Sequence, residues 1–246
     1  MCGIVGYMGH RKAAPLLLKG LQRLEYRGYD SAGMALYQDQ VVSLFKTQGK
    51  VADLAALANF KDANQSIGMG HTRWATHGVP SDDNAHPHSS NSGELTLIHN
   101  GIIENYEALK KLLVGKGYVF HSDTDTEVLV NLIEEVQKSH QYQLGKAVQV
   151  ALSQVIGAYA IVVFDTKKTD ELVVAKLGSP LAIGMGNQEY FIASDASPFI
   201  EYTNKVVYLE DHQLAIIKRD RAPKILSITT DTFTDYYIQE LELSLD

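Results

Sequence analysis

The sequence predicts an α+β fold of helical and antiparallel-sheet layers, on three observations. Between residues 11 and 155, several segments repeat apolar residues at helical spacing, each with one stripe to bury. From Ala158 onward the texture changes to short apolar runs of strand length. Turn residues separate these runs at Asp165-Thr166, Gly178-Ser179-Pro180 and Gly186-Asn187, a spacing that favours antiparallel meanders. Helical stripes need a cover and strands need a second layer, so helices pack on sheets.

The first strand is expected over Cys2–Tyr7, with Ile4 and Val5 running inward. A helix follows over Arg11–Arg27, with Pro15 tolerable in its first turn, Leu17, Leu21 and Leu24 on one face, and Gly28 as its stop. Strands at Met34–Tyr37 and Val41–Phe45 and a short helix over Val51–Phe60 come next. Ile67–Arg73 reads as a strand entering a long polar loop, Trp74–Gly93, and long loops often carry function. Glu94–His99 reads as a strand that stops at Asn100-Gly101. A helix over Asn105–Gly115 turns Tyr106, Leu109, Leu112 and Leu113 inward.

The next helix starts after Ser122-Asp123-Thr124, where Thr124 and Glu127 have capping-box spacing. Its buried stripe is Val128, Leu129, Leu132, Ile133 and Val136, and a third helix spans Gln143–Val155. Strands are expected at Tyr159–Phe164, Glu171–Lys176, Leu181–Met185, Tyr190–Ala193, Val206–Leu209 and Leu214–Ile217. Beyond Asp220 the periodicity is lost, and Tyr236–Asp246 reads as an acidic tail or the start of a linker.

Composition narrows the class. The 246 residues supply ample core, and 45% hydrophobic with 21% charged residues is ordinary for a globular chain. A net charge of −7 argues against nucleic acid or an anionic membrane as partner. A single cysteine excludes an intramolecular disulfide framework and fits a reducing compartment. The N-terminus carries no secretory signal and no apolar stretch reaches spanning length, so a cytoplasmic location is expected.

Four stretches carry candidate chemistry. Met1-Cys2-Gly3 places the lone thiol behind the initiator methionine. Removal of Met1 leaves a nucleophile and an α-amine on one residue, and an amine of pKa about 7.7–8.0 is a suitable base near neutrality. In His71-Thr72-Arg73-Trp74-Ala75-Thr76-His77-Gly78, Arg73 offers a planar fork suited to a carboxylate and Trp74, the one tryptophan, a cover for a small ligand. A surface arginine beside a half-buried tryptophan is an equal reading. In His99-Asn100-Gly101 an asparagine amide and a glycine N–H are two donors that form an oxyanion hole if they converge. Taken alone, Asn-Gly reads more readily as a hairpin turn. Asp123-Thr124-Asp125 reads locally as helix capping, with either aspartate able to face an ammonium instead. Five of the nine histidines lie between 71 and 99, but no spacing matches a zinc signature and no phosphate-loop or dinucleotide motif is present. No metal and no cofactor are expected.

These stretches are joined by Leu24-Glu25-Tyr26-Arg27-Gly28-Tyr29-Asp30-Ser31-Ala32-Gly33, Asn84-Ala85-His86-Pro87-His88, Ile102-Ile103-Glu104-Asn105, Thr126-Glu127 and Gly178-Ser179-Pro180-Leu181. The ordered set resembles the glutaminase domain of the glucosamine-6-phosphate synthase family, a class II glutamine amidotransferase of the N-terminal-nucleophile hydrolase type. The resemblance implies an αββα four-layer sandwich, with two stacked antiparallel sheets between helical layers. It implies that Cys2 attacks the side-chain amide of L-glutamine and that Asn100 and Gly101 hold the oxyanion. It further implies that Arg73 pairs with the substrate carboxylate and Asp125 with its ammonium. Trp74, Thr76 and His77 would line a closing pocket, and Arg27 would support the nucleophile. The ammonia acceptor would be a sugar isomerase half absent from this chain, leaving residues 1–235 as the glutaminase domain and 236–246 as tail or linker. A stand-alone hydrolase of another amide and a catalytically silent glutamine sensor are the alternatives.

Overall fold

The structure, a computed structural model, describes residues 1–168 and 170–242. In chain order it runs β1 (Gly3–Met8), α1 (Ala13–Leu24), β2 (Ser31–Gln38), β3 (Val41–Gln48), α2 (Val51–Ala56), β4 (Ile67–Arg73), β5 (His88–Ser89) and β6 (Leu95–Ile103). Three helices follow, α3 (Tyr106–Gly115), α4 (Asp125–His140) and α5 (Leu144–Leu152). The rest is sheet: β7 (Gly157–Asp165), β8 (Glu171–Leu177), β9 (Ala182–Met185), β10 (Tyr190–Ala193), β11 (Lys205–Tyr208), β12 (Gln213–Lys218), β13 (Arg221–Ser227), β14 (Thr232–Thr234) and β15 (Gln239–Glu240).

Among the described residues the strands form two sheets, β15-β11-β9-β10-β1-β4-β2-β3 and β14-β13-β12-β8-β7-β6-β5. Their strand pairings are antiparallel. Three apolar cores separate four layers, and strand alternation explains how. On β1, Ile4 and Met8 face the second sheet while Val5 and Tyr7 face α1. On β7, Ala160, Val162 and Phe164 face the first sheet while Tyr159, Ile161 and Val163 face α3–α5. Strands buried on both faces read as continuous apolar runs, as these do. Each fully buried large apolar side chain contributes about 1.5–3 kcal/mol relative to exposure. The αββα sandwich is thus the observed fold.

Local signals place most elements. Leu17, Leu21 and Leu24 are fully buried on α1, and Gly28, with φ +112°, ends the turn that follows. On α4 the expected stripe is buried in full. Thr124 is its N-cap, accepting from the Glu127 N–H at 3.3 Å, while the Glu127 carboxylate reaches back to the N–H groups of His121 and Ser122.

Four expectations need correction. The strand through Glu94–His99 does not stop at Asn100-Gly101: β6 continues to Ile103, with Asn100 opposite Ala160 and Gly101 opposite Tyr159. The Asn-Gly turn signal yields to the β7 ladder. Neither Asp123 nor Asp125 caps α4, because Thr124 takes that position. Leu112 is 49% exposed, on the shoulder of a helix whose contact line is Leu109 and Leu113. The chain beyond Asp220 is regular, forming β13, β14 and β15. Its alternation is masked because β13 carries exposed charges, Arg221 and Lys224, after a register shift between Ile216 and Lys218, and β14 and β15 are short strands at the sheet edges. Of the expected tail, Tyr236 packs against the inter-sheet core and Gln239–Glu240 pairs with β11, while residues 243–246 lie outside the described residues. No helix among the described residues is long and apolar enough to cross a membrane.

Candidate active site

Cys2 stands just before β1, a central strand of the first sheet. Its neighbour β4 pairs Thr72 with Gly3, so Arg73 and Trp74 leave the sheet beside the thiol. Asn100 and Gly101 arrive from β6 in the opposite sheet, and Asp125 is the first residue of α4. Cys2, Arg73, Trp74, Thr76, His77, Gly101 and Asp125 line one cleft of about 250 Å³ of empty space. Asn100 and Arg27 sit at its wall, the Asn100 Nδ2 and the Arg27 Nε each donating to the Cys2 carbonyl at 3.1 Å. The nine expected residues therefore converge, from segments separated by as many as 123 positions between Cys2 and Asp125.

Both hydrogen bonds of the Cys2 thiol go to the Trp74 backbone. The Trp74 N–H donates to Sγ at 3.2 Å, and Sγ donates to the Trp74 carbonyl at 3.6 Å. Burial pushes the Cys2 thiol above its ordinary pKa, so the neutral thiol is its resting form. Attack then requires a base at the moment of reaction. Arg27 is anchored in turn by Asp195, which also accepts from Tyr26 and Ser197.

Arg73 is 3% exposed, and its guanidinium donates to the carbonyls of His77, Gly78 (2.9 Å) and Val79 (3.3 Å). It thereby folds the loop after β4 back over the cleft. Those contacts use three of its five donors. Asp30 pins the same loop by accepting from the Ala75 N–H. The two oxygens of Asp125 differ: Oδ2 accepts from the Ile103 N–H at 2.8 Å, while Oδ1 faces the His77 ring, 3.9 Å from Nδ1. Trp74 is 55% exposed at the mouth. Gly101 has φ +122°, and a Cβ there would lie 2.2 Å from the Ala158 carbonyl oxygen.

His86, His99, Thr124 and Thr126 also line the cleft and are not among the residues expected there. The loop histidines do hold the structure together. His99 Nδ1 meets Thr126 Oγ1 at 2.9 Å, His88 Nε2 meets Thr124 Oγ1 at 3.1 Å, and the rings of His71 and His86 stack 4.0 Å apart. Burial lowers the pKa of all four of His71, His86, His88 and His99, that of His71 to about 3. Their density in the sequence is the signal that marks them, but not which backbone groups they serve. Among the described residues no group of three or more His, Cys, Asp or Glu side chains is arranged to hold a metal ion.

Comparison with known proteins agrees with this geometry. Residues 56–225 match the family described as the glutamine amidotransferase domain. The glutamine–fructose-6-phosphate aminotransferase of Bacteroides thetaiotaomicron is 54% identical over 246 residues, covering 100% of this chain and 40% of that protein. The Thermococcus kodakarensis protein of the same name is 44% identical, again over 100% of this chain and 40% of the relative. The chain thus spans about two-fifths of the length of these curated relatives. Among solved structures, glutamine phosphoribosylpyrophosphate amidotransferase from B. subtilis superposes with a TM-score of 0.79 at 29% identity, over 93% of this chain and 50% of that one. A glutamine aminotransferase class-II domain protein from Silicibacter pomeroyi shares the fold at a TM-score of 0.62 and 16% identity, over 92% and 99% of the two chains. An N-terminal cysteine facing a cleft between two stacked sheets, and a family match over most of the chain, lead to one conclusion: this chain belongs to the glutamine amidotransferase domain family.

Proposed function

We propose that the chain hydrolyses the side-chain amide of L-glutamine to glutamate and ammonia through a thioester on Cys2. One observation carries this reading: a single cleft holds the thiol together with a buried cation and a buried carboxylate, Arg73 and Asp125. Free glutamine is a zwitterion, and few other amides carry both charges at that separation. Arg73 receives the α-carboxylate on its remaining donors, and the free Oδ1 of Asp125 receives the α-ammonium.

The chemistry then runs on local groups. With Met1 removed, the Cys2 α-amine takes the thiol proton as Sγ bonds to the amide carbon. The Asn100 Nδ2 and the Gly101 N–H stabilise the oxyanion. Collapse breaks the C–N bond, and the proton moves from the α-amine to the departing ammonia. Water then cleaves the γ-glutamyl thioester, and the thiol recovers its proton. Among the described residues no histidine ring is hydrogen-bonded to Sγ, which supports the α-amine as base. Trp74, Thr76 and His77 cover the bound substrate and exclude water during acylation. Arg27 holds the Cys2 carbonyl.

The name that these relatives carry supports fructose 6-phosphate as the ammonia acceptor, aminated in a sugar isomerase domain outside this chain. In this reading residues 1–235 carry the glutaminase domain.

The test is an intact mass before and after an electrophilic glutamine analogue. The expected result is loss of the Met1 mass and one label on the N-terminal peptide, prevented by excess glutamine. A chain that keeps Met1 and takes no label would overturn the reading. A second expectation concerns the charge pair. Asp125→Asn should keep the Ile103 contact through its carbonyl oxygen but lose the ammonium partner. Truncating one partner of a desolvated charge pair costs about 2–5 kcal/mol, so KM for glutamine should rise about 30-fold or more with a smaller change in kcat. An unchanged KM would place the ammonium elsewhere.

A further inference from the structure

His71 lies on β4 of one sheet, yet its ring reaches across to β6 of the other. Its Nε2 sits 3.0 Å from the His99 carbonyl oxygen and 2.9 Å from the Asn100 Oδ1. A peptide carbonyl can only accept, so Nε2 must carry the proton. Asn100 must then present its oxygen, not its NH2, to that N–H. The other end of the amide is fixed independently, because the Asn100 Nδ2 meets the carbonyl oxygen of Cys2 at 3.1 Å, and that oxygen also only accepts. Reversing the amide would set donor against donor at His71 and acceptor against acceptor at Cys2, losing both bonds.

We propose that His71 is a positioning residue that locks the side-chain amide of Asn100 with Nδ2 toward the reacting centre. It rests on the reading of Asn100 as an oxyanion donor. Burial of His71 at 0% exposure keeps the ring neutral, and its Nδ1 has no hydrogen-bond partner among the described residues, lying instead beside the stacked His86 ring. The lock requires a proton on Nε2, and the Nε2–H tautomer with a bare Nδ1 supplies it, the low pKa of His71 keeping the ring neutral at neutral pH. An amide free to rotate presents the wrong atom part of the time, and preorganised donors owe their effect to not having to reorient.

The test compares His71→Leu, His71→Gln, Asn100→Ala and the double variant His71→Leu/Asn100→Ala in glutamine hydrolysis. His71→Leu is expected to lower kcat about 10- to 100-fold, with KM for glutamine and the Kd of the product glutamate within about 3-fold. His71→Gln, which can offer an Nε2–H donor, should recover most of that loss. In the Asn100→Ala background His71→Leu should cost little more, because the amide it serves is gone. Additive losses in the double variant, or a fall in glutamate affinity equal to the fall in kcat, would overturn the proposal. If Asn100→Ala leaves kcat unchanged, the oxyanion reading fails and the proposal falls with it. If Asn100→Ala is slow but His71→Leu is not, only the proposal falls. Nitrogen NMR of the unmutated chain with labelled histidine decides the matter should His71→Leu not fold. A protonated Nε2 with an unprotonated Nδ1 at pH 7 is expected, and the opposite tautomer, with Nε2 bare, would overturn the lock.

Discussion

Cys2→Ala should abolish glutamine hydrolysis while leaving the fold intact. Loss of a catalytic nucleophile costs on the order of 10⁴- to 10⁶-fold in kcat where no other group can replace it. Nothing in the cleft offers a substitute: among the described residues the chain has no second cysteine, and the thiol's hydrogen bonds go to the Trp74 backbone. The structural cost is small, because Cys2 precedes β1 and its side chain is only half-buried. The melting temperature should stay within about 3 °C, the shift that roughly 1 kcal/mol produces in a domain of this size. Glutamate release and thermal unfolding, measured on the same preparation, check both halves. Residual turnover above a hundredth of the parent rate would remove Cys2 from the mechanism.

Mild acid should destabilise the protein. His71, His86 and His88 are buried and their folded pKa values are depressed by that burial, to about 3 for His71 and well below 6.5 for the other two. His99 shifts the same way, with Asp125 acting against the burial. A depressed pKa means the folded state refuses a proton that the unfolded chain accepts. The resulting stability is therefore intact above pH 6.5 and is lost as pH falls from there toward 3. His71 alone costs about 2 kcal/mol between pH 7 and pH 5, and His86 and His88 add to that cost in the same direction. That is already a sizeable part of the roughly 5–15 kcal/mol typical of a folded protein. The neighbouring cations Arg73 and Lys46 add to the penalty of protonating His88 in place. The held-down carboxylates Glu134, Asp195 and Glu201 act only at lower pH, as they approach their ordinary values of 3.8 to 4.5. The melting temperature should drop by about 5 °C or more between pH 7 and pH 5. A flat profile across that window would mean that the four rings are hydrated or already charged in the native state.

Much of this molecule is written locally in the chain. The apolar stripe of α4, the cap at Thr124, the strand Ile67–Arg73 and the turn at Gly28 depend on neighbours within a few residues, so periodicity and capping chemistry suffice to place them. The ordered motifs around Cys2, Arg73, Asn100 and Asp125 carried the family likeness and, through it, the layered fold. Where two local signals competed, the longer-range one won. Asn100-Gly101 has the composition of a hairpin turn, yet nine ladder partners from Leu95↔Asp165 to Ile103↔Gly157 hold it inside β6. The charged strand Arg221–Ser227 has no clean alternation to read, because it takes its order from β12 and β14 on either side.

Other features exist only once the sheets stack. The unequal oxygens of Asp125 and the reach of His71 to Asn100 are contacts between residues on different elements. A side chain's residue type is a property of the chain. Which acceptor a buried N–H must satisfy is set by what the opposite layer places within 3 Å of it, and no pattern of neighbours along the sequence encodes that distance.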